Sequence, residues 1–263
     1  MPKTIVISLC LIFLTGCFQR EEPVLPQEGE IVTWKQNDHL VVKAKLGERR
    51  KHIVDTHCRR CEAEFYQPEH EHYLGQFPID YVPETFPPIS KKEADSLPIP
   101  LAINQLEFNL VLNGSIMQAI DESIYVEDGL DGEDQVKVMV FNEIIKNRTS
   151  KIYEYSQKSN YSDFEFSDAK KWKNKYGLDC WLFLKTNSIH CYGKSSYDKS
   201  TGVLLKQMNA NWIFAESFEP IYGGIRVIWR VDKRNLHHWR EIDSAIWRLL
   251  ETWNVSPISV SRQ

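Results

Sequence analysis

The chain has 263 residues, a formal net charge of −4 from 32 Lys and Arg against 36 Asp and Glu, and 12% aromatic residues including eight tryptophans. That length can bury a substantial core, in one large domain or two small ones. The aromatic content argues against disorder, and the mild acidity gives no electrostatic case for a nucleic-acid partner.

In chain order the first element is an export signal. One positive charge at Lys3, an apolar run over residues 4–14 and the small residues Thr15 and Gly16 make a secretory signal peptide of residues 1–16. The run is too short to span a bilayer, which needs roughly 20 residues. Leu14-Thr15-Gly16-Cys17 resembles the lipobox of bacterial lipoproteins. That resemblance implies cleavage before Cys17 and transfer of diacylglycerol to its sulfur: the thiol is the acyl acceptor, and small residues admit the peptidase. The alternative is an ordinary signal peptide followed by a chance cysteine. More than one acyl chain gives stable anchoring, so the resemblance places a folded protein on the periplasmic face of a membrane, lipid-anchored but not embedded. Phe18 stands where inner-membrane retention in that family usually has Asp, which favours the outer membrane. Residues 17–30 read as the lipidated cysteine and a polar, Pro-containing tether.

Of six cysteines, Cys10 lies in the signal and Cys17 is the lipid acceptor, leaving Cys58, Cys61, Cys180 and Cys191. In an oxidising compartment two disulfides are expected, with three possible connectivities. Cys180 and Cys191 flank a hairpin pattern around Thr186-Asn187-Ser188, and pairing inside it would leave Cys58 with Cys61.

Residues 31–100 read as an N-terminal β-rich lobe, with short apolar runs at Ile31-Val32, Leu40-Val41-Val42 and Ile53-Val54. Within it, His57-Cys58-Arg59-Arg60-Cys61 and His70-Glu71-His72 offer a Cys-x-x-Cys with two nearby histidines. The histidines are one residue apart and only nine beyond Cys61, unlike the usual zinc-finger spacing. A redox pair is a further possibility, since the arginines would lower the thiol pKa, but a structural disulfide is favoured over both. No metal and no cofactor are assigned. Residues 78–100 hold six prolines and are expected to be extended or turning, neither helix nor central strand. They would connect this lobe to a second one over residues 101–263.

The second lobe opens with Leu106, Phe108, Leu110 and Leu112 alternating with Glu107, Asn109 and Val111, a strand with one buried face. Asn113-Gly114 is a type I′ hairpin signal, with residues 116–120 expected to return. Glu127, Asp128, Asp131, Glu133 and Asp134 then make a dense acidic loop. It fails the calcium-loop pattern, because a loop begun at Glu127 puts Gly129 third and Val138 twelfth. A solvated loop is the plain reading, and these five acids are also the candidate partner-binding residues. Val136, Val138 and Val140 alternate in another strand.

Residues 167–176 read as a short helix capped by Ser167 or Asp168 and ended by Gly177, and strands are expected around 179–185, 188–193, 211–215 and 225–231. Leu236, Trp239, Ile242, Ile246, Leu249 or Leu250, and Trp253 recur at three- and four-residue steps, an amphipathic helix of about twenty residues packing its stripe on a sheet. Asp232 or Asn235 can cap it, and Asn254 with Pro257 can stop it. The adjacent His237 and His238 read as surface residues. The predicted class is α+β: two lobes, mainly antiparallel sheet, with a long C-terminal helix on it.

G-x-S-x-G, H-E-x-x-H and a phosphate-cradling glycine loop are all missing, and Gly223-Gly224 lacks the rest of a nucleotide fingerprint. A non-catalytic, protein-binding role is therefore favoured over an enzyme. The lipobox, the α+β pattern, the Cys180/Cys191 hairpin and the Ile225-Arg-Val-Ile-Trp-Arg strand leading into a Trp-rich last helix together resemble the immunity lipoproteins of type VI secretion systems, of the kind cognate to phospholipase effectors. The resemblance implies an envelope-anchored protein that binds an incoming lipase and neutralises it. The alternative is an envelope assembly or maintenance lipoprotein acting as a protein-binding module.

Overall fold

The computed structural model describes residues 26–48, 72–99, 105–112, 135–143, 145, 148–157, 169–171, 174–207 and 212–258. Among the described residues, eleven strands fall in two sheets. β1 (Ile31–Asn37) and β2 (Leu40–Lys45) form an antiparallel hairpin. The rest build one sheet from β3 (His72–Pro78), β4 (Leu106–Val111), β5 (Gln135–Asn142), β6 (Ala169–Lys171), β7 (Asp179–Phe183), β8 (Ser188–Gly193), β9 (Val203–Gln207), β10 (Trp212–Glu219) and β11 (Ile225–Asp232). Its order is β3-β4-β5-β11-β10-β9-β8-β7-β6, parallel between β3 and β4 and antiparallel elsewhere. With its C-terminal helix packed on mainly antiparallel sheet, the protein is α+β.

Period-two patterning explains the central strands. Phe108, Val138, Trp229, Ala215, Leu205 and Cys191 stand side by side across six strands, all facing the same way and all buried. On this face lies α3 (Trp239–Trp253), preceded by a 3-10 segment over Lys233–His238. Its predicted stripe is the buried one, with Ile242, Leu249 and Leu250 fully inaccessible and Trp239, Trp247 and Trp253 nearly so. Each such side chain contributes about 1.5–3 kcal/mol by leaving water. The α-helix is shorter than the periodicity suggests. Asp232 caps the 3-10 turn by accepting from the Arg234 N–H at 2.9 Å, and α3 proper starts at Trp239. His237 and His238 lie in that 3-10 turn, their rings 4.0 Å apart.

The β1–β2 hairpin shares this core. Val32, Leu40, Val42 and Ala44 belong to the same apolar cluster as Phe108, Trp229 and Trp253. It is also laced to the residues following α3. The Val255 N–H donates to the Val41 carbonyl at 2.8 Å, the Asn254 amide to the His39 carbonyl at 3.0 Å, and the Ser256 hydroxyl to the Asp38 carbonyl at 2.7 Å. The chain beyond β2 meets β3 at a bulge, where Gly75 has φ +120° and a Cβ would stand 2.6 Å from the Gly47 backbone. Only glycine fits that approach.

Two expectations need correction. Residues 78–100 include a short helix, α1 (Lys91–Ser96): the prolines flank it, Ser90 caps it by accepting from the Glu93 N–H at 3.2 Å, and Ala94 packs with Ile89, Val41 and Val255. Residues 167–176 do not form a helix. Ala169–Lys171 pairs with β7, and Tyr176 (φ 53°) with Gly177 (φ 72°) forms the two central positions of a turn closed between Lys175 and Leu178. Glycine after a polar run signals a helix end and a left-handed turn equally well. The expected return strand 116–120 lies outside the described residues, as does the Asn113-Gly114 turn.

Cys180 and Cys191 are disulfide-bonded across the β7–β8 hairpin at directly opposed positions, as its pattern suggests. No helix among the described residues is long and apolar enough to cross a membrane.

A cationic groove on the open face of the sheet

Among the described residues, the second face of the sheet is only partly covered. α2 (Arg148–Gln157) lies over one end: Tyr153 stacks on Tyr192 at 3.8 Å, Ile152 meets the Trp181, Phe183 and Tyr192 cluster, and the Phe218 N–H donates to Thr149 Oγ1 at 2.8 Å. Beside it runs a groove of about 760 Å³.

Register dictates what lines this groove. One residue away from the buried row, the opposite row across the sheet reads Lys137, Arg230, Phe214, Lys206 and His190 on β5, β11, β10, β9 and β8. Two residues further, Met139, Ile228 and Glu216 stand side by side, followed by Phe141 and Arg226. The result is an apolar floor of Met139, Phe141, Phe214 and Ile228 with four cations, Lys137, Lys206, Arg226 and Arg230. Glu216 is the carboxylate lining it. His190 adds no charge near neutrality, since burial and the neighbouring Lys206 pull its pKa down to about 4. A chain of net negative charge thus presents a positive groove.

The charges are unevenly partnered. Burial opposes ionisation of Glu216, but its bonds to Lys206 and Arg226 outweigh that and hold its pKa below the usual carboxylate value. Arg226 Nη2 donates to Glu216 Oε2 at 2.9 Å, and Lys206 pairs with the other oxygen. Lys137 lies 3.5 Å from Glu107. Arg230 stacks on Phe214, 4.4 Å from the ring centroid, and among the described residues meets no carboxylate. Among the described residues the Nε atoms of Arg226 and Arg230 are both buried without an acceptor. An unmet buried donor costs about 1–3 kcal/mol.

Of the residues singled out in sequence, Cys180 and Cys191 face the core on the opposite side of the sheet. Cys17, Cys58, Cys61 and the acids Glu127, Asp128, Asp131, Glu133 and Asp134 lie outside the described residues. So do His57 and His70, whereas His72 opens β3 with its ring 5.2 Å from Trp34. Sequence reasoning passed over Lys137, Lys206, Arg226 and Arg230. Their one signal was charge on the face opposite isoleucine, valine and tryptophan, as at Arg226 and Arg230 in Ile225-Arg-Val-Ile-Trp-Arg.

No protein-family model matches the chain. No curated protein matches it either. Among solved structures, it is similar to an immunity protein of the Stenotrophomonas maltophilia type IV secretion system, at a TM-score of 0.37 and 6% identity, over 57% of this chain and 81% of that one. No functional residue is carried over from that partial overlap.

Proposed function

We propose that the chain is an envelope-anchored immunity protein, held through Cys17 on the periplasmic side of a membrane, that captures an incoming secreted effector on the open face of its sheet. The carrying observation is the groove's chemistry. Phenylalanine, methionine and arginine are the residue types enriched at protein interfaces, and arginine stacked on an aromatic ring is characteristic of the few positions that dominate binding energy. Here Arg230 on Phe214 and Arg226 over Phe218 stand on one apolar floor. A secreted phospholipase, delivered by a type VI system, is the effector that the sequence resemblance favours, and a lipid anchor concentrates the inhibitor where such a toxin meets its substrate.

The test is rescue of growth. A lipase encoded beside this gene, directed to the periplasm, should arrest growth, and co-expression of the full chain with its leader should restore it. Failure of the wild-type chain to restore growth refutes the reading. Restoration by a Cys17→Ser variant left in the periplasm would remove the anchor from it but not the binding.

A further inference from the structure

We infer that the groove recognises an extended acidic segment of a protein, with one carboxylate seated between Lys137 and Arg230. This deepens the proposed function by naming what the partner presents, and it rests on that reading.

Three observations carry it. The first is a conflict of charge. Lys137 and Arg230 are directly opposed on neighbouring strands β5 and β11. Such pairs sit with Cβ atoms about 4.5–5.5 Å apart, and like charges there are mutually destabilising. Glu107 offsets Lys137; among the described residues Arg230 has no such carboxylate beside it. An anion bound between the two would convert repulsion into a shared pair.

The second is donor geometry. Arg230 Cζ lies over the Phe214 ring, 4.4 Å from its centroid, which holds the guanidinium at the floor of the groove. Its Nε is buried and lacks an acceptor. A planar carboxylate can take two parallel N–H bonds from that fork, which an ammonium group cannot offer.

The third is period. Along β11 the open face presents Arg226, Ile228 and Arg230 at alternate positions, with Arg226 and Arg230 roughly 13 Å apart at strand rise. Between them Ile228 and Met139 form an apolar step. An extended peptide has the same two-residue period. Acids at its first and fifth positions and an apolar side chain at the third would match the row. A phospholipid headgroup would satisfy the cations but carries no such spacing.

The probe is the acetylated, amidated pentapeptide Glu-Ser-Leu-Ser-Glu, titrated into the full mature chain with amide chemical shifts as readout. The controls are Gln-Ser-Leu-Ser-Gln, the acidic peptide in high salt, and phosphatidylglycerol vesicles. Saturable binding should map to β5, β10 and β11. It should fall at least tenfold in Arg230→Gln and less in Arg230→Lys, weaken steeply with salt, and be missing for the neutral peptide. Because Arg230→Gln also relieves the clash with Lys137, its thermal midpoint without peptide should not fall. No saturable binding at millimolar peptide, equal binding by Arg230→Gln, or binding of vesicles in place of peptide through the same shifts would overturn the inference. The two readings fail separately. If Arg230→Gln loses the peptide yet still restores growth, the effector binds elsewhere and the immunity role stands. If the wild-type chain never restores growth, the immunity role falls whatever the peptide does.

Discussion

Replacing Asp243 with Asn should flatten the pH dependence of stability between pH 4 and 7. Asp243 lies in α3, almost wholly buried, accepting from the Ser195 hydroxyl at 2.5 Å and the Trp247 indole N–H at 3.0 Å. Burial raises its pKa more than these two bonds lower it, to about 6 against an ordinary 3.8. Below pH 3.8 the carboxyl is protonated in folded and unfolded chains alike. As pH rises the unfolded chain releases its proton first, so the folded state loses ground until pH passes about 6, beyond which the penalty is constant. At about 1.4 kcal/mol per pH unit, and with part of the penalty already present at pH 4, the residue makes the protein about 2 kcal/mol less stable at pH 7 than at pH 4. Glu219, also raised by burial, acts in the same direction, while Glu216, Asp38 and Asp232 are lowered and act oppositely. All four remain in the variant and cancel in the comparison. Urea denaturation of both proteins at pH 4, 5, 6 and 7 gives the change with pH for each. The difference between the two changes should be about 2 kcal/mol, with the wild type falling more steeply. Parallel curves, or a steeper fall in Asp243→Asn, would show that the buried carboxyl is not the titrating group.

Three further outcomes follow from the fold. Cys180→Ser with Cys191→Ser opens a loop of sequence separation 11 and should cost about 3 kcal/mol of unfolding free energy by the chain-entropy model; a denaturation midpoint unchanged from the oxidised wild type would contradict it. Gly75→Ala forces a side chain against the Gly47 backbone at a positive φ and should cost about 2–3 kcal/mol, checked by the same measurement; a neutral effect would mean the bulge is not needed. Labelled palmitate should enter the wild-type protein and not Cys17→Ser, and equal labelling would remove the lipid anchor.

Much of the sheet was readable because its central strands bury one face. Valines 136, 138 and 140 and the alternation in Ile225–Asp232 state a period of two without ambiguity, and the tryptophans of α3 state one near four. The misses share a cause: a local signal with two meanings. Gly177 ends a helix or occupies a left-handed turn, and only the pairing of Ala169–Lys171 with β7 decides it. The prolines around α1 hid six proline-free residues that the Ser90 cap makes helical. β3 was obscured by Gly75 and Pro78, both unfavourable in a strand and both admissible at a bulged sheet edge. The groove was the least legible part. Lys137, Lys206, Arg226 and Arg230 each read singly as a solvated strand residue, and only the order of β5, β11, β10 and β9 sets them side by side.

The lacing of the first hairpin to the residues after the last helix bears on how the protein is made. Val41 is bonded to Val255 and His39 to Asn254, so β1 and β2 find their seat only once α3 and the residues just after it have been synthesised. Removal of the last turn of α3 should therefore unseat the β1–β2 hairpin along with it.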